Sequence, residues 1–134
     1  MSGETDLRTL LAGLSPRLDP EPYVFATLPP GAAIPEGIVP LATFAEAEGL
    51  SLVVAAAQWP VAIGQASAPY ARLTMMVHSS LEAVGMTAAM ATALTEAGIS
   101  ANVVAAYYHD HIFVPWDRRY DAMRAIEALA KTSA

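Results

Sequence analysis

Residues 72–114, RLTMMVHSSLEAVGMTAAMATALTEAGISANVVAAYYHDHIFV, contain the pattern that decides the fold. Apolar residues occupy every second position of the first segment, which predicts a strand. They then recur at helical spacing until Gly98, which predicts an amphipathic helix that ends at this glycine. The face of the strand is Leu73, Met75 and Val77, and the stripe of the helix is Met86, Met90, Ala93, Leu94 and Ala97.

A hairpin and a second helix are predicted after this strand and helix. The runs 101–108 and 111–114 are rich in β-forming residues and predict a hairpin that turns near His109 and Asp110. Asp117 stands where it can cap a last helix. The apolar stripe of that helix is Tyr120, Met123, Ile126, Leu129 and Ala130. The C-terminal half is therefore predicted as strand, helix, hairpin and helix.

The N-terminal half begins with a short predicted helix, because leucines recur at helical spacing behind a cap at Thr5 or Asp6. Residues 23–28 then alternate as a strand. Residues 29–40 hold too much proline and glycine for a helix and are predicted as a loop. The leucines of the first helix are Leu7, Leu10, Leu11 and Leu14.

A second hairpin is predicted in this half. The runs 41–46 and 50–56 flank Gly49, which can adopt the positive φ that a tight turn needs. A short helix is predicted over 58–65. The two halves therefore share an order of strand and hairpin, and the loop 29–39 replaces the central helix in the first half.

Composition excludes several classes of function. The chain has 134 residues, 7 basic and 13 acidic side chains, and a formal net charge of −6. Its scattered basic residues form no stripe of the kind that binds nucleic acid, so no nucleic-acid partner is expected. It has no cysteine for disulfides or thiol chemistry. No apolar run approaches the roughly 20 residues of a membrane helix, so we expect no membrane association and a cytoplasmic location.

The residues HSSLEAVGM (78–86) and LTEAGISANVVAAYYHDHIFVP (94–115) resemble the ACT domain family, particularly its aspartokinase-type branch. TFAEAEGLSLVV (43–54) is similar to the hairpin of the degenerate first module in small two-module ACT proteins. The resemblance implies an α+β fold, a tandem of ferredoxin-like βαββαβ modules with an antiparallel sheet and helices on one face. We expect an N-terminal helix and degenerate ACT-like half over 1–66, and an ACT domain over 67–134.

One departure from the family pattern concerns the last strand. A full module ends in a fourth strand, whereas this chain stops after its last predicted helix. The missing strand would come from the N-terminal half or from a second subunit. The strand order is open at this point.

The resemblance also implies a ligand site, since ACT modules commonly bind amino acids or similar small metabolites in the loop corresponding to 78–85. Free N–H groups and the positive end of a helix dipole attract a carboxylate there, and Gly85 lets a ligand approach the backbone. The implied site residues are His78, Ser79, Ser80, Glu82, Val84, Gly85, Met86, Asn102, Val103, Glu48 and Gly49.

Each part of this site has a structural alternative. Ser79 and Glu82 match an S-x-x-E capping box, in which they satisfy the donors of the helix itself, and Gly85 would then serve only to permit tight helix packing. Asn102 and Val103 begin the strand expected opposite the loop, but asparagine is also common at a strand entrance. Glu48 could meet the amino group of a ligand or could simply be solvated.

Catalytic and metal chemistry have less support. His109, Asp110 and His111 suit zinc by residue type, but a third ligand would have to be His78 or a distant glutamate, so we predict no metal. G-x-S-x-G and phosphate-loop motifs are missing, so we predict no enzyme activity and no cofactor.

The sequence predicts a regulatory, allosteric sensor, a homodimer that binds an amino acid or related small carboxylate at a module or subunit interface. The alternative is a structural module for dimerisation or for contact with an enzyme partner, without a small ligand.

Overall fold

A computed structural model describes residues 6–60, 62–77 and 83–133. The chain separates into two compact units, residues 1–19 with 71–134 (the larger unit) and residues 20–70 (the smaller unit). Along the chain the elements are α1 (Leu7–Ala12), β1 (Pro16–Leu18), β2 (Tyr23–Leu28), β3 (Ala42–Glu46), β4 (Gly49–Ala55), β5 (Tyr70–Met75), α2 (Met86–Glu96), β6 (Asn102–Ala105), β7 (Asp110–Pro115) and α3 (Arg119–Ser133).

The larger unit has the predicted order of strand, helix, hairpin and helix, and its sheet is ordered β1-β5-β7-β6. Its fourth strand is β1, which pairs antiparallel with β5 and sets Leu18 opposite Leu73. Of the two sources left open by the sequence, the N-terminal half supplies the missing strand. The α+β, ferredoxin-like fold class is confirmed.

The core of the larger unit lies between its sheet and its three helices. Alternate residues of β5 and β7 face this core, as the twofold period of a strand requires. The predicted stripe of α2 is confirmed at Met86, Met90 and Leu94, which are buried, whereas Ala97 is exposed and lies outside it. Gly98, at φ +73°, follows the helix. Buried core residues include Leu10, Leu11, Leu14, Leu73, Met75, Met86, Met90, Leu94, Ile112, Val114 and Ile126.

The N-terminal helix therefore packs with the C-terminal part of the chain. Asp6 caps α1 as predicted, because its carboxylate accepts a hydrogen bond of 3.0 Å from the Thr9 backbone N–H. Leu10, on the inner side of α1, is completely buried in the core of the larger unit. The expected boundary at 66/67 lies close to the observed change between residues 70 and 71, but residues 6–19 belong to the other unit.

Three details of the C-terminal predictions are wrong. Tyr120 is 58% exposed, so it is outside the buried stripe of α3. Asp117 lies within a 3₁₀ turn, Trp116–Arg118, that precedes α3, so it is not the cap. The second hairpin turns over residues 106–109, where the Ala106 N–H donates to the His109 carbonyl at 3.1 Å. Asp110 consequently begins β7.

The smaller unit contains three antiparallel strands in the order β3-β4-β2. Residues 29–41, all of them described, contain no helix, which confirms the predicted loop in place of the central helix. At Gly49, φ is +151° and a Cβ would collide with the Leu28 carbonyl oxygen, so the predicted turn glycine is required. The buried core is Val24, Ala26, Leu28, Leu52, Val54 and Trp59.

The predicted helix over 58–65 is wrong. Only Ala56–Gln58 forms a single 3₁₀ turn, and no helix follows it in the described residues 59–60 and 62–69. Pro60 and Gly64 oppose helix formation, and the chain instead returns to the sheet. Ser67 donates its backbone N–H to the Phe25 carbonyl at 2.8 Å, so this segment lies beside β2.

Candidate functional site

The ligand loop implied by the sequence is described only at its end. His78, Ser79, Ser80 and Glu82 lie outside the described residues, whereas Val84, Gly85 and Met86 are described at the start of α2. Gly85 is the N-cap of α2, in the left-handed conformation at φ +96°, and among the described residues no side chain makes a capping hydrogen bond there. A capping box needs serine at the N-cap. The capping-box alternative is therefore wrong for α2.

The residues on either side of Gly85 differ in their exposure to solvent. The Val84 side chain is 81% exposed, whereas that of Met86 is buried in the core of the larger unit. A Cβ on Gly85 would stand 3.0 Å from a methyl group of Leu7, so α1 packs directly against the start of α2. The first turn of α2 thus offers backbone N–H groups beside an exposed valine. Met86 can contribute only its backbone.

Asn102 and Val103 lie towards the opposite end of the sheet from the last residues of β5. Thr74, near the end of β5, contacts His111 at the start of β7, with 3.0 Å between Thr74 Oγ1 and His111 Nδ1. β7 starts opposite Ala105, the last residue of β6, because Ala105 pairs with Asp110. Asn102 is three residues, about 10 Å, further along. Within one larger unit, Asn102 is therefore about 10 Å along the sheet from the end of β5, after which the chain continues towards Gly85.

Glu48 and Gly49 belong to the smaller unit, in the turn between β3 and β4. Glu48 is exposed and Gly49 is buried. The neighbouring Glu46 carboxylate accepts a hydrogen bond from the Ser51 hydroxyl. A role for Glu48 and Gly49 in ligand binding remains a prediction.

The structure also assembles a polar cluster that the sequence did not predict, on the sheet face of the larger unit opposite its helices. Arg17 of β1 pairs with Thr74 of β5, which hydrogen-bonds His111 of β7, so three strands place these residues in one row. In the next row Arg72 forms an ion pair of 2.7 Å with Asp19. We call Arg17, Thr74, His111, Arg72 and Asp19 the open-face cluster.

Electrostatics favour the neutral form of His111. Burial lowers its pKa, and the positive charges of Arg72, His109 and Arg17 lower the pKa further. The sequence carried one sign of this cluster, the alternation along each strand: Arg17, Thr74 and His111 each stand between two residues that face the other side of the sheet. Nothing local could have indicated that the three strands are adjacent.

The cluster of His109, Asp110 and His111 is not a metal centre of the described residues, in which no three His, Cys, Asp or Glu side chains group as ligands. Asp110 and His111 are consecutive on β7, so their side chains point to opposite faces of the sheet. Asp110 is buried as the first residue of β7, whereas the sequence predicted it in the turn of the hairpin.

Two models of the ACT domain match the chain, one over residues 2–58 and one over residues 68–129. The chain belongs to the ACT domain family. The second match begins near β5 and the first covers most of the smaller unit, so the ACT tandem inferred from sequence is confirmed. A search of curated proteins finds no relative of this ACT protein.

Solved structures agree with this assignment. A Vibrio cholerae protein of unknown function, described as a possible transport protein, is 46% identical over 92% of this chain and 95% of its own, with a TM-score of 0.81. The regulatory subunit of aspartate kinase from Thermus thermophilus shares the fold at 14% identity, over 87% of this chain and 97% of its own, with a TM-score of 0.62. Clostridium acetobutylicum aspartate kinase does so at 11% identity, over 87% of this chain and 34% of its own, with a TM-score of 0.63.

No helix among residues 6–60, 62–77 and 83–133 has the length and apolar character to cross a bilayer. ACT domains are regulatory modules, and two of these structural neighbours are a regulatory subunit and an enzyme described as allosteric.

Proposed function

We propose that this ACT protein is a non-catalytic regulatory module that binds an amino acid or a related small carboxylate at the start of α2. The observation that carries the proposal is the N-cap of α2, where Gly85 itself has no side chain to accept from the first N–H groups of the helix. Such groups, together with the positive end of the helix dipole, attract a carboxylate.

The ligand would lie between the first turn of α2 and the preceding loop. Val84 borders this place and is exposed, and the left-handed Gly85 brings the backbone to the surface. His78, Ser79, Ser80 and Glu82 are proposed to complete the site, because they occupy the loop that joins β5 to α2.

Asn102 and Val103 are proposed to join the site from a second copy of the chain. β6 is an edge strand, and an edge strand presents unpaired backbone groups to a partner. If two β6 strands pair antiparallel about a twofold axis, Asn102 of one copy lies next to Ala105 of the other. That is the end of the sheet where α2 begins. A homodimer would therefore complete the site.

Thermal shift with single amino acids tests this proposal. A ligand at a concentration 100 times its dissociation constant stabilises the folded state by about 2.7 kcal/mol. For a chain of this size, that raises the melting temperature by roughly 10 °C. We expect Val84→Asp to abolish the shift, because its carboxylate repels that of the ligand. Val39→Asp is the matched control, because Val39 is 74% exposed and lies in the smaller unit.

Two results would contradict the proposal. One is the failure of all twenty amino acids to raise the melting temperature. The other is a shift that persists unchanged in Val84→Asp. Stable dimers without any ligand response would favour the structural alternative instead.

A further inference from the structure

The open-face cluster contains an arginine whose charge the protein does not neutralise. Arg17 is exposed, and within the described part of the chain it makes no ion pair or hydrogen bond. The neighbouring arginine of the cluster is different, because Arg72 is already paired with Asp19 at 2.7 Å. One positive charge therefore remains on this face, although the whole chain carries −6.

The same row supplies a second polar group beside Arg17. Thr74 is buried and holds His111 by a hydrogen bond of 3.0 Å to Nδ1. That bond occupies Nδ1 of the imidazole, so the other ring nitrogen, Nε2, is the one available to a ligand. His111 is half-buried and Arg17 is exposed, so one end of the row lies within the protein and the other end is open to solvent.

We propose that Arg17 and His111 form a binding site for an oxyanion, the phosphate or carboxylate group of a small metabolite. The planar guanidinium of arginine matches two oxygens of such a group, and its hydrogen bonds to an anion are charge-assisted. Thr74 is the positioning residue, since it orients His111 without reaching the ligand. This site lies on the face opposite the helices and is distinct from the proposed amino-acid site.

Charge balance gives the site a pH dependence. The titratable and charged groups that face His111 are the positive Arg17 on β1 and Arg72 on β5 and the imidazole of His109 in the preceding turn, and Asp19 forms an ion pair with Arg72. A bound anion offsets this positive field and raises the pKa of His111. Binding therefore tightens as the pH falls and His111 takes up a proton.

Proton NMR of the histidine rings tests the site with the full chain. The sequence has three histidines, so His111 is assigned from the signal that disappears in His111→Gln. Inorganic phosphate and acetate are titrated separately at an ionic strength held constant with sodium chloride, because exposed charges are screened by salt. We expect a saturable shift of the His111 signal and tighter binding at lower pH. A response to only one anion identifies the ligand group as phosphate or carboxylate.

Arg17→Gln is expected to weaken binding about tenfold or more, which corresponds to the loss of a charge-assisted hydrogen bond. Arg124→Gln is the matched control, since it removes the same charge from an exposed position on α3 and should leave binding within about twofold. Val84→Asp should also leave it unchanged, which separates this site from the amino-acid site. If Arg17→Gln does not fold, Arg17→Lys replaces it. This variant is expected to bind the anion severalfold more weakly than the unsubstituted chain, because lysine lacks the paired N–H donors of the guanidinium.

The proposal is overturned if neither anion produces a saturable shift of the His111 signal. It is also overturned if the Arg17 variant binds as tightly as the unsubstituted chain, or if Arg124→Gln weakens binding equally. The last result would show a general charge effect without a site.

Discussion

Replacing Leu10 by alanine tests whether α1 is part of the core of the larger unit. Leu10 is completely buried among residues of that core. Removing a buried leucine side chain costs the lost transfer energy and leaves a cavity, about 3 kcal/mol in total. For a chain of 134 residues the entropy of unfolding is about 0.28 kcal/mol/K, so the melting temperature should fall by roughly 10 °C.

Hydrogen exchange locates this destabilisation. Because α1 packs with the larger unit, backbone amides of β5 and β7 should lose protection in Leu10→Ala, while those of β2 in the smaller unit keep theirs. Leu7→Ala is the control, since Leu7 is 37% exposed and its truncation should cost about 1 kcal/mol or less. Loss of protection in β2 with β5 unaffected would refute the assignment of α1 to the larger unit.

Two further predictions concern a turn and a titration. Gly49→Ala should destabilise the protein by about 2–4 kcal/mol in urea unfolding, because its φ is +151° and a Cβ would collide with a carbonyl oxygen. Gly31→Ala, at φ +79° with nothing within 4 Å, should cost about 1 kcal/mol, and an equal cost at both glycines would count against the collision. Since the pKa of His111 is lowered from 6.5, the unfolded state binds its proton first, and stability should fall as the pH drops through 6.5 towards the folded pKa. His111→Gln should flatten that pH dependence, and an unchanged slope would show that other groups cause it.

The parts of the fold that the sequence predicted correctly are those with a local pattern. Met90 and Leu94 are four residues apart and both are completely buried, as the helical period indicated. The loop 29–41 was equally predictable, because proline and glycine exclude a helix wherever the rest of the chain lies. The turn at Gly49 is a further case, since its backbone conformation is available to little besides glycine.

The parts that the sequence missed depend on contacts between distant segments. β1 has three residues and begins with Pro16, and its partner β5 lies more than 50 residues further along the chain, so no periodicity could reveal it. The open-face cluster has the same origin, because the pairing register alone brings Arg17 and His111 to one row. The S-x-x-E motif misled for the opposite reason. It matched the local pattern of a helix start at Ser79, but α2 begins only at Met86.

The position of β1 has a consequence for synthesis on the ribosome. α1 and β1 are translated before the smaller unit, yet their partners β5 and α3 are translated after it. Residues 20–70 can form all of their own strand pairs while the nascent chain is still growing. The larger unit has to wait until its C-terminal helix has left the exit tunnel. Folding during translation is thus expected to begin with residues 20–70 and to finish when α1 and β1 pack with β5 and α3.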